Sequence, residues 1–211
     1  MTDTNGSTTM QLLRDSTRAE HERAEHHAFQ QEMFKGELSR DEYAAWLGQM
    51  YLVHHALEKA LRRVGKDDEG IRTVVRDYQY QTPYLAEDLE LFGVDPQSIE
   101  PLPATERFIA AVEEGRDDPL LLLGLHYVLE GSNNGSRFIA RHVAQAYQLA
   151  PGPGLRYLNP YGDKQREYWM TFKNDMGTLP FSEADNERLV EAAKQMYQTV
   201  AELSDDLAAT R

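Results

Sequence analysis

The 211-residue sequence contains no cysteine, which excludes disulfides, thiolate metal ligands and a catalytic thiol. It also lacks any run of about 18 apolar residues, so we expect no membrane-spanning helix. Basic residues are scarce, since 22 Lys and Arg face 35 Asp and Glu and give a net charge of −13. This charge argues against nucleic acid or an anionic membrane as the main partner.

The composition is otherwise that of a cytoplasmic globular protein. Residues 1–9 are polar and lack the basic-then-apolar pattern of a secretory signal, so we expect a disordered N-terminal tail there. Residues 10–208 show no domain boundary and no internal repeat, which predicts one domain.

Alternating strand patterns are missing as well, whereas helical periodicity runs along almost the whole chain. The sequence therefore predicts an all-α, single-domain bundle. The predicted helices cover residues 8–28, 40–64, 71–92, 105–115, 119–148, 163–176 and 182–208. Ser39 and Glu42 form a capping-box pattern at the start of the second helix. Pro83 is expected to kink or split the third.

The predicted helix over residues 119–148 is the most apolar one, yet it contains Gly131-Ser132-Asn133-Asn134-Gly135. A glycine in a helix interior costs about 1 kcal/mol relative to alanine, and Ser and Asn compete for backbone hydrogen bonds. Two glycines four residues apart also put bare backbone on one face. We expect a kinked helix whose glycine face lets a flat group come very close.

Histidine is the first candidate for metal chemistry, and His21 has the most unusual surroundings. On a helix it shares a face with Thr17, Ala24 and Ala28, where a core face would carry Leu, Ile or Phe. Small residues around one imidazole suit a flat ligand that lies across the helix, with the imidazole as an axial metal ligand. The alternative is an ordinary surface or core histidine.

Two basic residues upstream of His21 support a charged ligand. Arg18 and Arg14 lie one and two turns before it, respectively, and guanidinium groups bind carboxylates well. The alternative is surface ion pairing with Asp15, Glu20 and Glu22.

Two segments resemble a known family. Residues 17–25 (TRAEHERAE) resemble the proximal helix of heme oxygenases, with His21 in the place of the axial histidine. Residues 127–135 (YVLEGSNNG) resemble the distal helix, especially of bacterial members with a Glu-Gly-Ser-Asn signature. Residues 34–43, residues 168–173 and the last helix extend the resemblance over nearly the whole chain.

The resemblance implies a heme-oxygenase-like bundle with heme b between the helix at 8–28 and the kinked helix at 119–148. It implies that His21 binds the iron and that Glu25 orients the imidazole indirectly. The catalytic distal wall would consist of Gly131, Ser132 and Gly135. The other implied heme contacts are Arg14, Thr17, Arg18, Ala24, Tyr127, Asn134 and Lys173, the three basic residues among them near the propionates.

The implied reaction is the cleavage of heme by O2 to biliverdin, carbon monoxide and Fe2+, with heme as both cofactor and substrate. Electrons would come from an external donor protein, a ferredoxin or a reductase, because the sequence has no flavin or nicotinamide fingerprint. Ser132 stands where mammalian-type members carry an aspartate, and a hydroxyl holds a water but carries no charge. Proton delivery would then depend on Asn133, Asn134 and ordered water.

Other functions remain open at this point. One is a heme-binding or heme-trafficking protein that does not turn heme over, and another is a related all-α oxidase or hydrolase with a different ligand. Glu22 and His26 have a spacing that a metal could use, but a di-iron oxidase needs several carboxylate and histidine ligands from different helices, and we find no second and third such pair aligned on the core faces. We assign no ligand role to the remaining histidines, which are His26, His27, His54, His55, His126 and His142.

Overall fold

The computed structural model describes residues 8–211, and within them ten α-helices and no strand occur, which confirms the all-α prediction. The helices are α1 (Thr9–Ser16), α2 (Arg18–Glu25), α3 (Ala28–Lys35), α4 (Arg40–Val64), α5 (Glu69–Val74), α6 (Thr82–Leu91), α7 (Pro103–Glu114), α8 (Pro119–Tyr147), α9 (Gln165–Thr178) and α10 (Glu183–Ala209). None of these helices is long and apolar enough to cross a membrane.

The predicted N-terminal tail falls mostly on residues 1–7, which lie outside the described part of the chain. Thr8 belongs to the fold, because its hydroxyl accepts a hydrogen bond from the Gln11 amide and caps α1. The predicted capping box of Ser39 and Glu42 is present at the start of α4.

The predicted helix over residues 8–28 is wrong in its continuity, since α1 and α2 replace it, and α3, which begins at its last residue, was not predicted. Thr17 has φ −109° and ψ 9° and separates α1 from α2, while its hydroxyl donates to the Leu13 carbonyl over 2.7 Å. His27 begins α3 by accepting a hydrogen bond from the Phe29 amide. Polar side chains that form hydrogen bonds with the nearby backbone compete with helix formation. The chain therefore turns at Thr17 and again before α3, where periodicity alone predicts one continuous helix.

The predicted helix over residues 71–92 also divides, into α5 and α6 with a short 3₁₀ turn at Asp77–Gln79 between them. Pro83 lies in the first turn of α6, where a backbone N–H would have no hydrogen-bond partner within the helix, so its absence costs nothing. The split places the chain at Gln81 and Thr82 against Glu58 of α4, whose carboxylate accepts both backbone amides.

The long helix α8 runs unbroken from Pro119 to Tyr147, so its five weak helix formers do not end it. Hydroxyls of Ser132 and Ser136 donate to carbonyls three and four residues back, at 2.7 and 2.8 Å. These bonds keep the polar side chains on the helix itself. α8 packs along α10, and one hydrophobic core joins both helices to α4, α6, α7 and α9.

Candidate functional site

A cavity of about 720 Å³ lies between the N-terminal helices α1 and α2 on one side and α8 on the other. Its size is in the ordinary range for small-molecule and cofactor sites. Ten of the twelve residues predicted for the site line it, namely Arg14, Thr17, Arg18, His21, Ala24, Glu25, Tyr127, Gly131, Ser132 and Gly135. The structure therefore brings together two segments that lie about 110 residues apart in the sequence.

The imidazole of His21 is accessible from the cavity and has two side-chain neighbours. Its Nδ1 lies 3.8 Å from Glu25 Oε2, and its ring makes an edge-to-face contact with Tyr197 at 5.5 Å between centroids. With Nδ1 turned towards Glu25, Nε2 is the nitrogen left for a ligand. Thr17 and Ala24 are buried beside it, so the small side chains next to the imidazole leave it projecting into the cavity.

The break at Thr17 determines this orientation, and it also changes one predicted neighbour. Ala28 belongs to α3 and is exposed, so the small-residue face around His21 ends at Ala24. The buried hydroxyl of Thr17 fixes the start of α2 relative to α1.

Arg14 and Arg18 line the cavity, and each forms an ion pair on its own helix surface. Arg14 Nε lies 2.8 Å from Asp15 and Arg18 Nε lies 2.9 Å from Glu22. The hydrogen bond between Arg14 and Asp15 raises the pKa of the arginine and lowers the pKa of the carboxyl. Since such exposed pairs are weak, an anionic group at the edge of the cavity can displace either carboxylate.

The opposite wall is bare backbone at two positions. A Cβ placed on Gly131 would lie 3.5 Å from the Trp169 ring, and one placed on Gly135 would have no neighbour within 4 Å. Both glycines line the cavity, so any side chain added there would fill part of it. The close approach predicted from the glycine spacing is therefore available in the fold.

Two predicted cofactor contacts, Asn134 and Lys173, do not line the cavity. Asn134 donates to the Gly131 carbonyl at 2.9 Å and accepts from Gln165 at 3.2 Å, so it is turned towards the start of α9. One residue is 100° of rotation on a helix, which is enough to move Asn134 off the face of Gly135. On α9 it is Trp169, rather than Lys173, that reaches the cavity.

A buried carboxyl behind this wall was missed by the sequence analysis. Glu130 is 2% exposed, and its Oε2 accepts hydrogen bonds from the Tyr161 hydroxyl at 2.7 Å and from Asn133 at 3.3 Å. Burial raises the pKa of Glu130 to about 8, so the group is mostly protonated at neutral pH. A lone glutamate within the apolar run of α8 was the signal in the sequence.

A second buried polar group lies on α4 and was also missed. His54 Nε2 is 3.1 Å from the Tyr157 hydroxyl, and its Nδ1 is 3.4 Å from Glu58 Oε1. Burial raises the pKa of Glu58, but the hydrogen bonds from His54 and from the Thr82 backbone hold it below its usual value overall. The four-residue spacing of His54 and Glu58 was visible in the sequence, whereas the tyrosine partner was not.

The remaining histidines are dispersed. His126 is buried, where desolvation lowers its pKa to about 4, and it lies against Phe172 and Gln79. Among residues 8–211, no group of three or more His, Asp or Glu side chains is placed to hold a metal ion.

Comparison with known proteins gives concordant results. The model of the family described as "Heme oxygenase" matches residues 7–206. The chain is 28% identical over 205 residues to heme oxygenase 2 of Synechocystis sp. PCC 6803, which covers 93% of this chain and 82% of that protein.

Solved structures agree with the sequence match. The crystal structure of heme oxygenase-2 from Synechocystis sp. PCC 6803 in complex with heme and NO superposes with a TM-score of 0.89 at 27% identity, covering 97% of this chain and 86% of that one. The heme oxygenase from Leptospira interrogans shares the fold, with a TM-score of 0.86 at 24% identity over 94% of this chain and 98% of that one. A match along almost the entire chain, together with this cavity between α2 and α8, shows that the protein belongs to the heme oxygenase family.

Proposed function

We propose that this protein is a biliverdin-forming heme oxygenase, which cleaves heme with O2 to biliverdin, carbon monoxide and Fe2+. The observation that carries the proposal is the cavity itself, with one accessible imidazole on the α2 wall and two side-chain-free glycines on the α8 wall. A flat ligand fits between a projecting metal ligand and a bare backbone surface. The family relative whose structure was solved with heme supports the same ligand here.

The residues of the α2 wall suit heme in type and position. Nε2 of His21 is the candidate iron ligand, and Glu25, 3.8 Å from Nδ1, is the candidate for orienting the ring indirectly. Thr17 and Ala24 leave room for the porphyrin plane, and Arg14 and Arg18 are the candidate partners of its propionates. Bound heme supplies the iron that activates O2 and the porphyrin carbon that is oxidised.

The glycines of the α8 wall leave space for O2 in the cavity. At Gly131 and Gly135 only backbone borders the cavity, so no side chain competes with O2 for the space above the heme. The rings of Tyr127 and Trp169 pack at a tilt, 6.2 Å apart between centroids, and line one side of the cavity with apolar surface. The apolar part of the cavity lining disfavours bulk water beside the reacting porphyrin.

Electrons have to come from outside the chain in this proposal. The donor is a separate protein, a ferredoxin or a reductase. The reaction takes place in the cytoplasm, a reducing compartment in which a chain without cysteine needs no disulfides. Because the chain has a net charge of −13, it repels an acidic donor overall, and such a donor would have to dock on a local basic surface.

Titration with hemin tests the first half of the proposal. The native protein should give the Soret spectrum of a histidine-ligated heme, and His21→Ala should lose that spectrum or weaken binding at least tenfold. His26→Ala is the matched control, since this exposed histidine at the end of α2 does not line the cavity. An unchanged spectrum in His21→Ala would show that the axial assignment is wrong.

Turnover with an electron-donor system under oxygen tests the second half. The Soret band should bleach while bilin absorption grows and carbon monoxide appears. Binding of hemin without bilin formation would identify a heme carrier and contradict the catalytic proposal. Failure to bind hemin at all would contradict the assignment of the cavity as well.

A further inference from the structure

We propose that Tyr157, His54 and Glu58 form a proton relay that connects the heme cavity with solvent in a basic cleft between α4 and α6. The inference rests on the proposed function, because the reduction of O2 in that cavity takes up one proton for each electron. It adds a defined route by which those protons arrive.

The polar residues of the α8 wall do not provide such a route. The Ser132 hydroxyl donates to the Leu129 carbonyl, and the Asn134 amide donates to the Gly131 carbonyl. Asn133 donates to Glu130, whose neutral carboxyl lies behind the wall. All three side chains thus donate to groups of their own helix, and neither Asn133 nor Asn134 lines the cavity.

The inner half of the relay begins at the cavity wall. Tyr157 lines the cavity, and its hydroxyl lies 3.1 Å from His54 Nε2. The other ring nitrogen of His54 lies 3.4 Å from Glu58 Oε1, one helical turn further along α4. All three residues are at most 6% exposed, so protons that pass between them are shielded from bulk water.

The outer half ends at a second cavity of about 450 Å³, which Glu58 lines together with exposed basic side chains. These are Lys59, Arg62, Arg63 and Lys66. In a chain of net charge −13 such a cluster attracts anionic buffers such as phosphate, and these carry protons to Glu58. The one carboxylate in this cleft lining is also the one that contacts His54.

The proton balance is simple. With one proton added from the cleft, the Glu58–His54 pair presents Nε2–H to the Tyr157 oxygen. The Tyr157 hydroxyl gives its proton to reduced dioxygen in the cavity and takes up the Nε2 proton of His54. Tyrosine therefore ends with the same number of protons. The pair is left as Glu58 carboxylate and Nδ1–H. The Glu58–His54 pair is ready for the next transfer once another proton from the cleft has reached it and the imidazole has rotated to present an N–H to Tyr157 again.

Glu58 is held in place beside the His54 ring. Its carboxylate lies against Nδ1 and accepts two backbone hydrogen bonds, from Gln81 at 2.6 Å and from Thr82 at 3.0 Å. His126, packed nearby, stays neutral because burial lowers its pKa to about 4, so it adds no charge beside the relay.

Three conservative variants test the relay, namely Tyr157→Phe, His54→Gln and Glu58→Gln. Tyr157→Phe removes only a hydroxyl, and a glutamine at 58 retains an oxygen for the two backbone amides. His55→Gln is the matched control, because this exposed neighbour lines the cleft without contacting Tyr157. Soret titration should give native hemin affinity in all four proteins.

The three relay variants should lose about tenfold or more in kcat, with KM unchanged, since a positioned proton donor contributes on the order of 10²–10⁴-fold. Their solvent deuterium isotope effect on kcat should rise, which a merely structural defect would not produce. His55→Gln should match the native protein in both measurements. Native kcat and isotope effect in Tyr157→Phe and His54→Gln would overturn the relay while leaving the proposed function intact.

A measurement without heme separates the two proposals. In apo-protein labelled with 15N-histidine, Tyr157→Phe and Glu58→Gln should each change the ring nitrogen shifts of His54, which report its tautomer. Shifts that neither substitution changes would overturn the relay, whether or not the protein turns heme over. Absence of bilin formation by the native protein, in contrast, would count against the proposed function.

Discussion

Glu130 shows at the scale of one residue how burial changes chemistry. Its carboxyl is enclosed by α8 and the segment before α9, and it receives hydrogen bonds from Tyr161 and Asn133. These bonds favour the charged form, but desolvation is the larger effect and raises the pKa to about 8. The folded protein therefore holds a proton that the unfolded chain, with an ordinary glutamate pKa of about 4.3, releases at neutral pH.

The free energy of unfolding should depend on pH accordingly. Because the folded state binds the extra proton, the contribution of Glu130 is fully present below about pH 4 and is lost as pH rises towards 8. Glu130→Gln mimics the protonated form and removes this dependence. Denaturant unfolding between pH 5 and 8 should show native stability falling relative to the variant by a few kcal/mol, to order of magnitude.

Asp88 has a pKa raised to about 6 and acts in the same direction, but it is present in both proteins and cancels in the difference. Glu114→Gln, at the exposed end of α7, serves as the control and should parallel the native protein. A native stability that rises with pH relative to Glu130→Gln would show that the carboxyl is ionised in the fold.

The glycines of α8 have opposite roles at the scale of the helix. A Cβ on Gly124 would lie 2.5 Å from the Ala192 Cβ and 2.6 Å from the Leu189 carbonyl of α10, so this glycine sets how closely the two helices approach. A Cβ on Gly135 meets nothing within 4 Å and points into the cavity. One glycine therefore serves packing and the other serves the site.

Gly124→Ala should destabilise the protein although alanine is the better helix former. Forcing a methyl into a filled interface costs about 1–3 kcal/mol, which exceeds the roughly 1 kcal/mol gained in helix propensity. Thermal or denaturant unfolding measures the difference. Gly177→Ala in α9 is the matched control, since a Cβ there meets nothing within 4 Å, and it should be neutral or slightly stabilising.

At the scale of the molecule, the cavity joins the N-terminal helices to the long helix α8 around one hydrophobic core. A ligand that binds this cavity binds only the folded state, because its two walls are far apart in the sequence. Hemin should therefore raise Tm by mass action, with about 2.7 kcal/mol of stabilisation at 100 times Kd.

The Gly135→Leu variant should remove this effect without unfolding the protein. The new side chain has open space at its Cβ but fills the cavity, so the Tm of the apo-protein should stay near the native value while the hemin-induced shift disappears. Gly177→Leu, outside the cavity, should keep the shift. An intact hemin shift in Gly135→Leu would indicate that heme binds elsewhere.

The helical period and the capping residues were sufficient to predict the long helices that are clearly separated from their neighbours in the sequence. Ser39 and Ser182 cap α4 and α10 where a capping residue precedes an apolar period, and α8 spans nearly the predicted range. Helical periodicity did not predict the helix ends at which polar side chains form hydrogen bonds with the nearby backbone. Thr17 divides the predicted helix over residues 8–28 into α1 and α2, and His27 starts the unpredicted α3. The hydrogen bonds of these two side chains leave no mark on the hydrophobic pattern.

The sequence by itself determined the all-α class, the helix faces that carry His21, Gly131 and Gly135, and the resemblance that pairs them. Only the tertiary structure decided what lies opposite each face, since a helical period fixes which residues are neighbours on one helix but not across helices. It turned Asn134 towards Gln165 and brought Tyr157 to His54, 103 residues away. Burial then set the protonation of Glu130, because desolvation depends on the packed surroundings rather than on sequence neighbours.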